Sequence, residues 1–99
     1  MFIRFFYSAV DPADSHEVQR IFVEDIKPAF EEVGCASVEL LVNTETNAGG
    51  LVEGVVISRW ESTAAMEKAL GSRAVAESLV RVRELLRQEP VTRVFEVLE

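Results

Sequence analysis

Few residues of this chain have side chains suited to acid–base, nucleophilic or metal chemistry, and those few are scattered. The sequence contains one histidine, His16, and one cysteine, Cys35. One His, one Cys and dispersed carboxylates give no metal-ligand spacing, so no metal site is predicted. A nucleophile elbow and a dinucleotide fingerprint are also missing, and the glycines of NAGGLVEG lead into a predicted strand rather than a helix.

Aromatic residues suggest a different kind of site, an apolar pocket for a small molecule. Trp60, the only tryptophan, ends the stretch VVISRW, and Ser58 shares its face because side chains alternate along a strand. Ligand pockets are mostly apolar with a few polar groups. The candidate lining residues are Tyr7, Phe22, Phe30, Ser58, Trp60 and Met66, and His16 is the candidate at the pocket mouth.

These candidates also have ordinary structural interpretations. The two phenylalanines and the methionine recur at helical spacing, which is typical of a core. Tyr7 fits a core aromatic whose hydroxyl finds a partner, and His16 fits a solvated residue. Trp60 either seals one end of the core or forms one wall of a cavity. Gly54, on the same face, either leaves room beside the ring or marks a bulge.

Six elements must position these residues. Residues 2–10 are rich in aromatic and branched side chains and predict a strand. Apolar residues then recur at spacings of three and four over residues 18–33, which predicts a helix. Pro28 should kink this helix or end its first part, and Gly34 should stop it.

The second half of the chain predicts a hairpin and a broken helix. Strands over residues 36–43 and 51–60 flank the turn sequence TETNAGG. Ser62 should cap the second helical region, which breaks at residues 71–72 and continues until Pro90.

The resulting order is βαββαβ, with VTRVFEVLE as the last strand over residues 91–99. Two right-handed crossovers give a four-stranded antiparallel sheet with both helices on one face, which is a ferredoxin-like α+β fold with the first and third strands central. Glu77 and Arg81 are expected to form an i,i+4 pair on the outer side of the second helical region.

Both central strands are apolar on both faces. The first strand carries Ile3, Phe5 and Tyr7 on one face and Phe2 and Phe6 on the other, and the third strand repeats this pattern. One face of a two-layer monomer meets water and should be polar. The sequence therefore predicts a homodimer in which sheet packs on sheet.

Composition limits the partners and the location. Ninety-nine residues predict a single domain over 1–99. The net charge of −7 and the pI near 4.7 disfavour nucleic acid and anionic membrane surfaces as partners. No apolar run approaches the roughly 18 residues that span a bilayer, and the N-terminus reads as a strand rather than a secretory leader, so a cytoplasmic protein is expected. The lone Cys35 predicts a buried thiol without a disulfide.

Two stretches resemble the antibiotic biosynthesis monooxygenase superfamily of dimeric α+β barrel proteins. EEVGCASVELLVN is similar to the family's helix end, Gly-Cys and strand, and VVISRWESTAAMEKAL to its apolar strand, Trp-Glu-Ser and helix. GSRAV stands where many members have a Ser and an apolar pair. The resemblance covers nearly the whole chain and implies a homodimeric barrel with a cavity between sheet and helices in each protomer.

The resemblance implies three kinds of activity: cofactor-free oxygenation of phenols, quinol oxidation and haem degradation. Haem-degrading members have an Asn on the first strand, a Trp ending the third strand and an iron-ligating His on the second helix. Trp60 matches this Trp, but the Asn position falls at about Tyr7 and the His position at about Ser78 or Leu79. Haem degradation is therefore disfavoured.

The leading hypothesis is a monooxygenase that needs neither metal nor flavin and acts on a small aromatic or quinol-like substrate. Such a reaction requires a dry aromatic pocket and a group that favours the substrate phenolate. The alternative is a dimer of the same fold that binds a small ligand, or fills its cavity with its own side chains, and catalyses nothing.

Overall fold

The computed structural model describes residues 1–98. Its main elements are β1 (Phe2–Val10), α1 (Ser15–Ile21), a wide π-type turn (Phe22–Ile26), α2 (Lys27–Glu32), β2 (Ser37–Thr46), β3 (Val52–Trp60), α3 (Thr63–Leu70), α4 (Arg73–Arg83) and β4 (Val91–Glu96). The strands form one antiparallel sheet in the order β2-β3-β1-β4. This confirms the predicted ferredoxin-like α+β fold and the central places of β1 and β3. The predicted last strand also included residue 99, which lies outside the described residues.

The pairing of β1 with β3 defines two sheet faces. Phe2 lies opposite Trp60 and Phe6 opposite Val56, and these residues contribute to the core beneath the helices. We call this the inner face. Tyr7 lies opposite Val55 on the other side, the outer face. Side-chain alternation assigns every residue of β1 and β3 to one of these two faces.

The first helical region runs as predicted to Gly34, whose φ of +94° suits glycine at a helix end. The predicted interruption at Pro28 takes the form of the wide turn just before it. Lys27 N–H donates to Phe22 O, five residues back rather than four. Pro28 then falls in the first turn of α2, where its missing N–H costs no hydrogen bond.

Two serine caps begin the two helices of the second helical region. Ser62 Oγ accepts the N–H of Ala65 at 3.1 Å, which confirms the predicted cap of α3. Ser72 Oγ accepts the N–H of Val75 at 3.4 Å and caps α4 after the predicted break. Each serine satisfies one of the backbone donors left unpaired at a helix start.

The predicted end of the last helix at Pro90 is wrong, because α4 ends at Arg83. Leu86 fits the apolar stripe of α4, but its backbone pairs with Val10 as an isolated antiparallel bridge. Its side chain still packs on the core. The segment around Leu86 therefore pairs with the backbone of β1 instead of continuing the helix.

The predicted pair of Glu77 with Arg81 is also wrong. Glu77 accepts a hydrogen bond from Arg73 at 2.8 Å, one helical turn earlier. Arg81 lies 3.3 Å from Asp25, in the wide turn that packs beside α4. The tertiary neighbour displaces the local i,i+4 partner.

The β2–β3 hairpin is longer than predicted and contains a bulge. Val42 pairs with Gly54, but the next paired residues are Thr46 and Val52, so β2 carries two extra residues. The bulge beside Gly54 supports one of its two predicted roles. The other role fails, because Gly54 lies six residues from Trp60, about 20 Å along the strand. Across residues 1–98, no helix is long and apolar enough to cross a bilayer.

Candidate functional site

Trp60 is enclosed in the core between the inner face and the helices. Its side chain is fully buried and its ring centroid lies 5.8 Å from that of Phe30. Its Nε1–H donates to Ser58 Oγ at 2.9 Å, and Ser58 is also fully buried. Trp60 therefore seals one end of the core, and its only polar group is satisfied by the serine two residues before it.

The structure brings five of the six candidate lining residues into this same core. They are Phe22, Phe30, Ser58, Trp60 and Met66, each at most 7% exposed. These residues were the candidates for the lining of an apolar pocket. In the structure their side chains are buried in the core.

Tyr7 is the exception, because it lies on the outer face, away from Trp60. Phe2 lies opposite Trp60, so Tyr7, five residues further on, must point to the outer face. Its side chain is 42% exposed. It stacks on Phe5 with 6.1 Å between ring centroids.

His16 is exposed at the start of α1. A narrow crevice between α1 and the sheet has a volume of about 20 Å³ and is lined by Ser15, Val18 and Gln19 on the helix side, without His16. The structure therefore brings His16 to the rim of α1 but not to the lining of this crevice.

Arg4, which the sequence analysis did not single out, is the unusual residue of the inner face. It is 6% exposed and lies opposite Ser58, with its guanidinium carbon 5.4 Å from the Phe6 ring centroid. Its Nη1 atom is enclosed and has no hydrogen-bond partner among residues 1–98. The alternation of side chains along FIRFF was a signal for this burial, since Arg4 must share a face with Phe2 and Phe6.

The electrostatics of Arg4 follow from this burial. Desolvation lowers the pKa of Arg4 below its ordinary value, and the positive charge of Arg83 lowers the pKa further. Arginine nevertheless stays charged in proteins. Within residues 1–98 no carboxylate lies within ion-pair distance of either guanidinium. The layer thus contains a buried cation whose charge no described carboxylate neutralises.

Ser78 is the third buried polar residue of this layer, at 3% exposed. Its hydroxyl donates to Ala74 O at 2.8 Å, back along α4. We use the name inner polar cluster for the buried polar residues of the described part of the chain, Arg4, Ser58 and Ser78.

The neighbour of Arg4 on the edge strand β4 is half-exposed. Val94 lies opposite Arg4, on the same face, and is 41% exposed. Nearby, Arg83 lines a depression of about 370 Å³ formed with the segment from Leu86 to Pro90. The buried cation therefore lies beside the exposed strand β4, and Arg83 is near enough to lower its pKa.

Other reactive groups do not join the cluster. Cys35 is a free, buried thiol, as predicted, and its S–H is within hydrogen-bonding distance of Ser37 O at 3.0 Å. Burial raises the pKa of the Cys35 thiol, which disfavours the reactive thiolate. No group of three or more His, Cys, Asp or Glu side chains within residues 1–98 is placed to hold a metal ion.

The outer face carries its own apolar surface. Leu41 pairs with Val55, Val55 with Tyr7, and Tyr7 with Val91, so one row crosses all four strands. We call these four residues the outer apolar row. A depression of about 460 Å³ lies along it, lined in part by Tyr7, Leu41 and Val55. Exposed apolar surface of this extent is typical of an interaction face.

The fold and the buried layer define a class: small α+β proteins with a four-stranded antiparallel sheet and helices on one face. Solved structures of this class superpose on the chain over nearly its full length. An antibiotic biosynthesis monooxygenase has a TM-score of 0.80 at 16% identity, with 100% of both chains covered. A protein of Mycobacterium tuberculosis has a TM-score of 0.75 at 23% identity, covering 99% of this chain and 95% of that one. A candidate antibiotic biosynthesis monooxygenase of Deinococcus radiodurans has a TM-score of 0.78 at 14% identity, covering 100% and 94%.

The sequence profile of the family described as antibiotic biosynthesis monooxygenase matches residues 1–81. The chain therefore belongs to the antibiotic biosynthesis monooxygenase family, as the resemblance predicted. No curated protein matches the chain. The match ends within α4, so Arg83 and β4, which flank Arg4, lie beyond it.

Proposed function

We propose that this protein is a cofactor-independent monooxygenase that oxidises a small aromatic or quinol-like substrate. The observation that carries the proposal is the inner polar cluster, a buried unpaired cation and two hydroxyls in an otherwise aromatic and aliphatic layer. Buried polar groups are costly unless they find partners, and unpaired ones concentrate at functional sites. Family membership supplies the reaction class.

The proposed chemistry needs no reductant beyond the substrate. A phenol such as 1-naphthol loses two hydrogens and gains one oxygen atom to become a quinone, and the second oxygen atom of O₂ leaves as water. The substrate is oxidised by four electrons and O₂ is reduced by four. A protein environment that favours the phenolate assists this reaction, because the anion gives up an electron more readily than the phenol.

Oxygen consumption tests the proposal directly. The protein is incubated with 1-naphthol and with hydroxylated anthrones, and oxygen uptake is followed beside quinone absorbance. We expect one O₂ consumed for each quinone formed, with little hydrogen peroxide. Uptake equal to that of a buffer blank across the panel would refute the proposed activity.

We further propose that the protein works as a homodimer joined through the outer face. The outer apolar row and Phe95, which is 53% exposed, would be covered by a second copy. The two-fold arrangement places the same row on both sides of the interface. A stable monomer of about 11 kDa in sedimentation at micromolar concentration would contradict this assembly.

The alternative is a dimer that binds a small ligand without chemistry, or that fills its cavity with its own side chains; the packing around Trp60 favours the second form. Trp60 and Phe30 are fully buried and in contact, so side chains occupy the space beside the tryptophan. Binding of 1-naphthol without oxygen uptake would support this alternative over the oxygenase. The cytoplasmic location and the single domain over residues 1–99 stay predictions from the sequence.

A further inference from the structure

We propose that two copies of the protein join through their outer faces with their strands crossing at nearly a right angle, so that every charged side chain of that face meets an opposite charge. The pairs are Glu39 with the partner's Arg59, and Arg93 with the partner's Glu53. This arrangement rests on the homodimer proposed above and goes beyond it, because it fixes how the two sheets are oriented and which side chains meet.

The strand registers fix the positions of these charges on the outer face. The row next to the outer apolar row, on the side toward Trp60, consists of Glu39, Ile57, Phe5 and Arg93. Arg59 lies one row further in the same direction, on β3. Glu53, also on β3, lies one row beyond the outer apolar row in the opposite direction. Neighbouring strands are about 4.8 Å apart and successive rows about 6.6 Å apart, so the separations between the four charges are known.

All four charged residues are exposed, and their side chains lack ion-pair partners within residues 1–98. A charge that a second copy covers without pairing is strongly unfavourable, whereas a complementary charge fixes the register of an interface. The dimer should therefore adopt the orientation that pairs the most charges.

Two simple orientations pair only half of the charges. A two-fold axis that relates two stacked sheets lies in the plane between them, and we place it through the centre of the face, between β1 and β3. An axis parallel to the strands places Glu39 over the partner's Arg93. Arg59 and Glu53 then face uncharged side chains. An axis across the strands places Arg59 over the partner's Glu53, and it is Glu39 and Arg93 that face uncharged side chains.

A diagonal axis pairs all the charges. It runs from the corner of the face at Ser37 to the opposite corner beyond Val91, and the strands of the two sheets then cross at about 90°, a common angle for stacked sheets. In projection on the interface, each charged position lies within about 3 Å of the position of its partner. The other diagonal places all four charges over uncharged side chains.

The same diagonal keeps the centre of the interface apolar. Ile57 and Tyr7 lie along the axis, so each meets its own copy, and Phe5 lies over the partner's Val55. Tyr7 is exposed and the other three are partly exposed in one protomer, so they have apolar surface left to bury. An apolar centre with charged groups around it is the usual anatomy of a protein interface.

Charge reversal with rescue tests the first pair. Glu39→Arg and Arg59→Glu each place like charges at both symmetric copies of the pair, so we expect either variant to raise the dissociation constant of the dimer at least about tenfold. The double variant should return to within about threefold of the wild type. Sedimentation equilibrium measures the dissociation constants, and circular dichroism checks that these exposed substitutions leave the fold intact.

The second pair gives an independent rescue. Arg93→Glu and Glu53→Arg should each weaken the dimer and together restore it. These two positions lie about 16 Å apart within one protomer, so their rescue acts across the interface. The matched control is Glu39→Arg combined with Arg93→Glu, which has the same net charge as the restored double variants but should dimerise more weakly than either single variant.

The outcomes separate the orientation from the other proposals. Rescue by Glu39→Arg with Arg93→Glu would indicate an axis parallel to the strands and overturn the crossed arrangement. Rescue by Arg59→Glu with Glu53→Arg would indicate an axis across the strands and overturn it equally. Single reversals that leave the dissociation constant unchanged would overturn it as well. A monomeric wild type would refute both this orientation and the homodimer, whereas oxygen uptake on 1-naphthol bears on the monooxygenase alone.

Discussion

In our main prediction, the same substitution at two buried serines changes stability by very different amounts. Ser58 and Ser78 are 0% and 3% exposed, and each takes part in one side-chain hydrogen bond. Ser58 accepts the indole N–H of Trp60 at 2.9 Å, whereas Ser78 donates to Ala74 O at 2.8 Å. The two variants Ser58→Ala and Ser78→Ala therefore remove similar atoms from similar surroundings.

The difference lies in what each substitution leaves behind. Without Ser58 Oγ, the Trp60 N–H remains in a fully buried place without an acceptor, which costs about 1–3 kcal/mol. Without Ser78 Oγ, the Ala74 carbonyl keeps its backbone partner within α4, and alanine is the better helix former by up to about 0.5 kcal/mol. We expect Ser58→Ala to lower the free energy of unfolding by about 1–3 kcal/mol, and Ser78→Ala to change it by less than about 0.5 kcal/mol.

Urea unfolding followed by far-ultraviolet circular dichroism measures both changes at one protein concentration. A second check uses the background Trp60→Phe, which lacks the indole N–H. There the cost of Ser58→Ala should fall below about 0.5 kcal/mol, because no donor is left unpaired. Equal effects of the two serine variants, or an undiminished cost of Ser58→Ala in the phenylalanine background, would refute the assignment of the hydrogen bond as the cause.

Three further predictions concern other parts of the molecule. Arg4→Met should raise the free energy of unfolding of the ligand-free protein by about 1 kcal/mol or more in urea, since it removes an unpaired buried cation; a loss of stability would mean that the cation is structural. Leu41→Lys, on the outer apolar row, should convert dimer to monomer in sedimentation, whereas the control Val23→Lys on the exposed helix surface should not. Burial raises the pKa of the Cys35 thiol, so the thiol of the unfolded chain ionises first as pH rises. The contribution of Cys35 to the free energy of unfolding is therefore full below the unfolded pKa and falls as pH rises toward the folded pKa. Cys35→Ala should flatten that fall, which denaturation at increasing pH measures.

The architecture could be predicted because its signals are local. The helical repeat over residues 18–33, the stop at Gly34 and the serine cap at Ser62 each depend on residues a few positions apart. The element order then leaves few topologies. The helix end could not be predicted in this way, since Leu86 matches the helical stripe and only its distant partner Val10 shows why the helix stops earlier.

The site was harder to predict because it depends on register. That Tyr7 and Trp60 lie on different faces of the sheet follows only once Phe2 is known to pair with Trp60. Arg4 carried a usable signal, a cation inside an aromatic strand, but a charged residue in such a place is ordinarily assigned to the solvent face. Its burial depends on neighbours contributed by β3 and α4, which no local pattern contains.

The wide turn before α2 has a consequence for the orientation of the core aromatics. Residues on an α-helix advance by about 100° each, so Phe22 and Phe30, eight positions apart, would be rotated by about 80° from one another on a regular helix. The wide turn accommodates one extra residue, so the separation corresponds to about seven steps, and the two rings come within about 20° of the same direction. Both side chains are buried. Deleting one residue of the turn, such as the exposed Val23, would place the two phenylalanines seven positions apart on a regular helix, again within about 20° of the same direction, so both rings would still face the sheet.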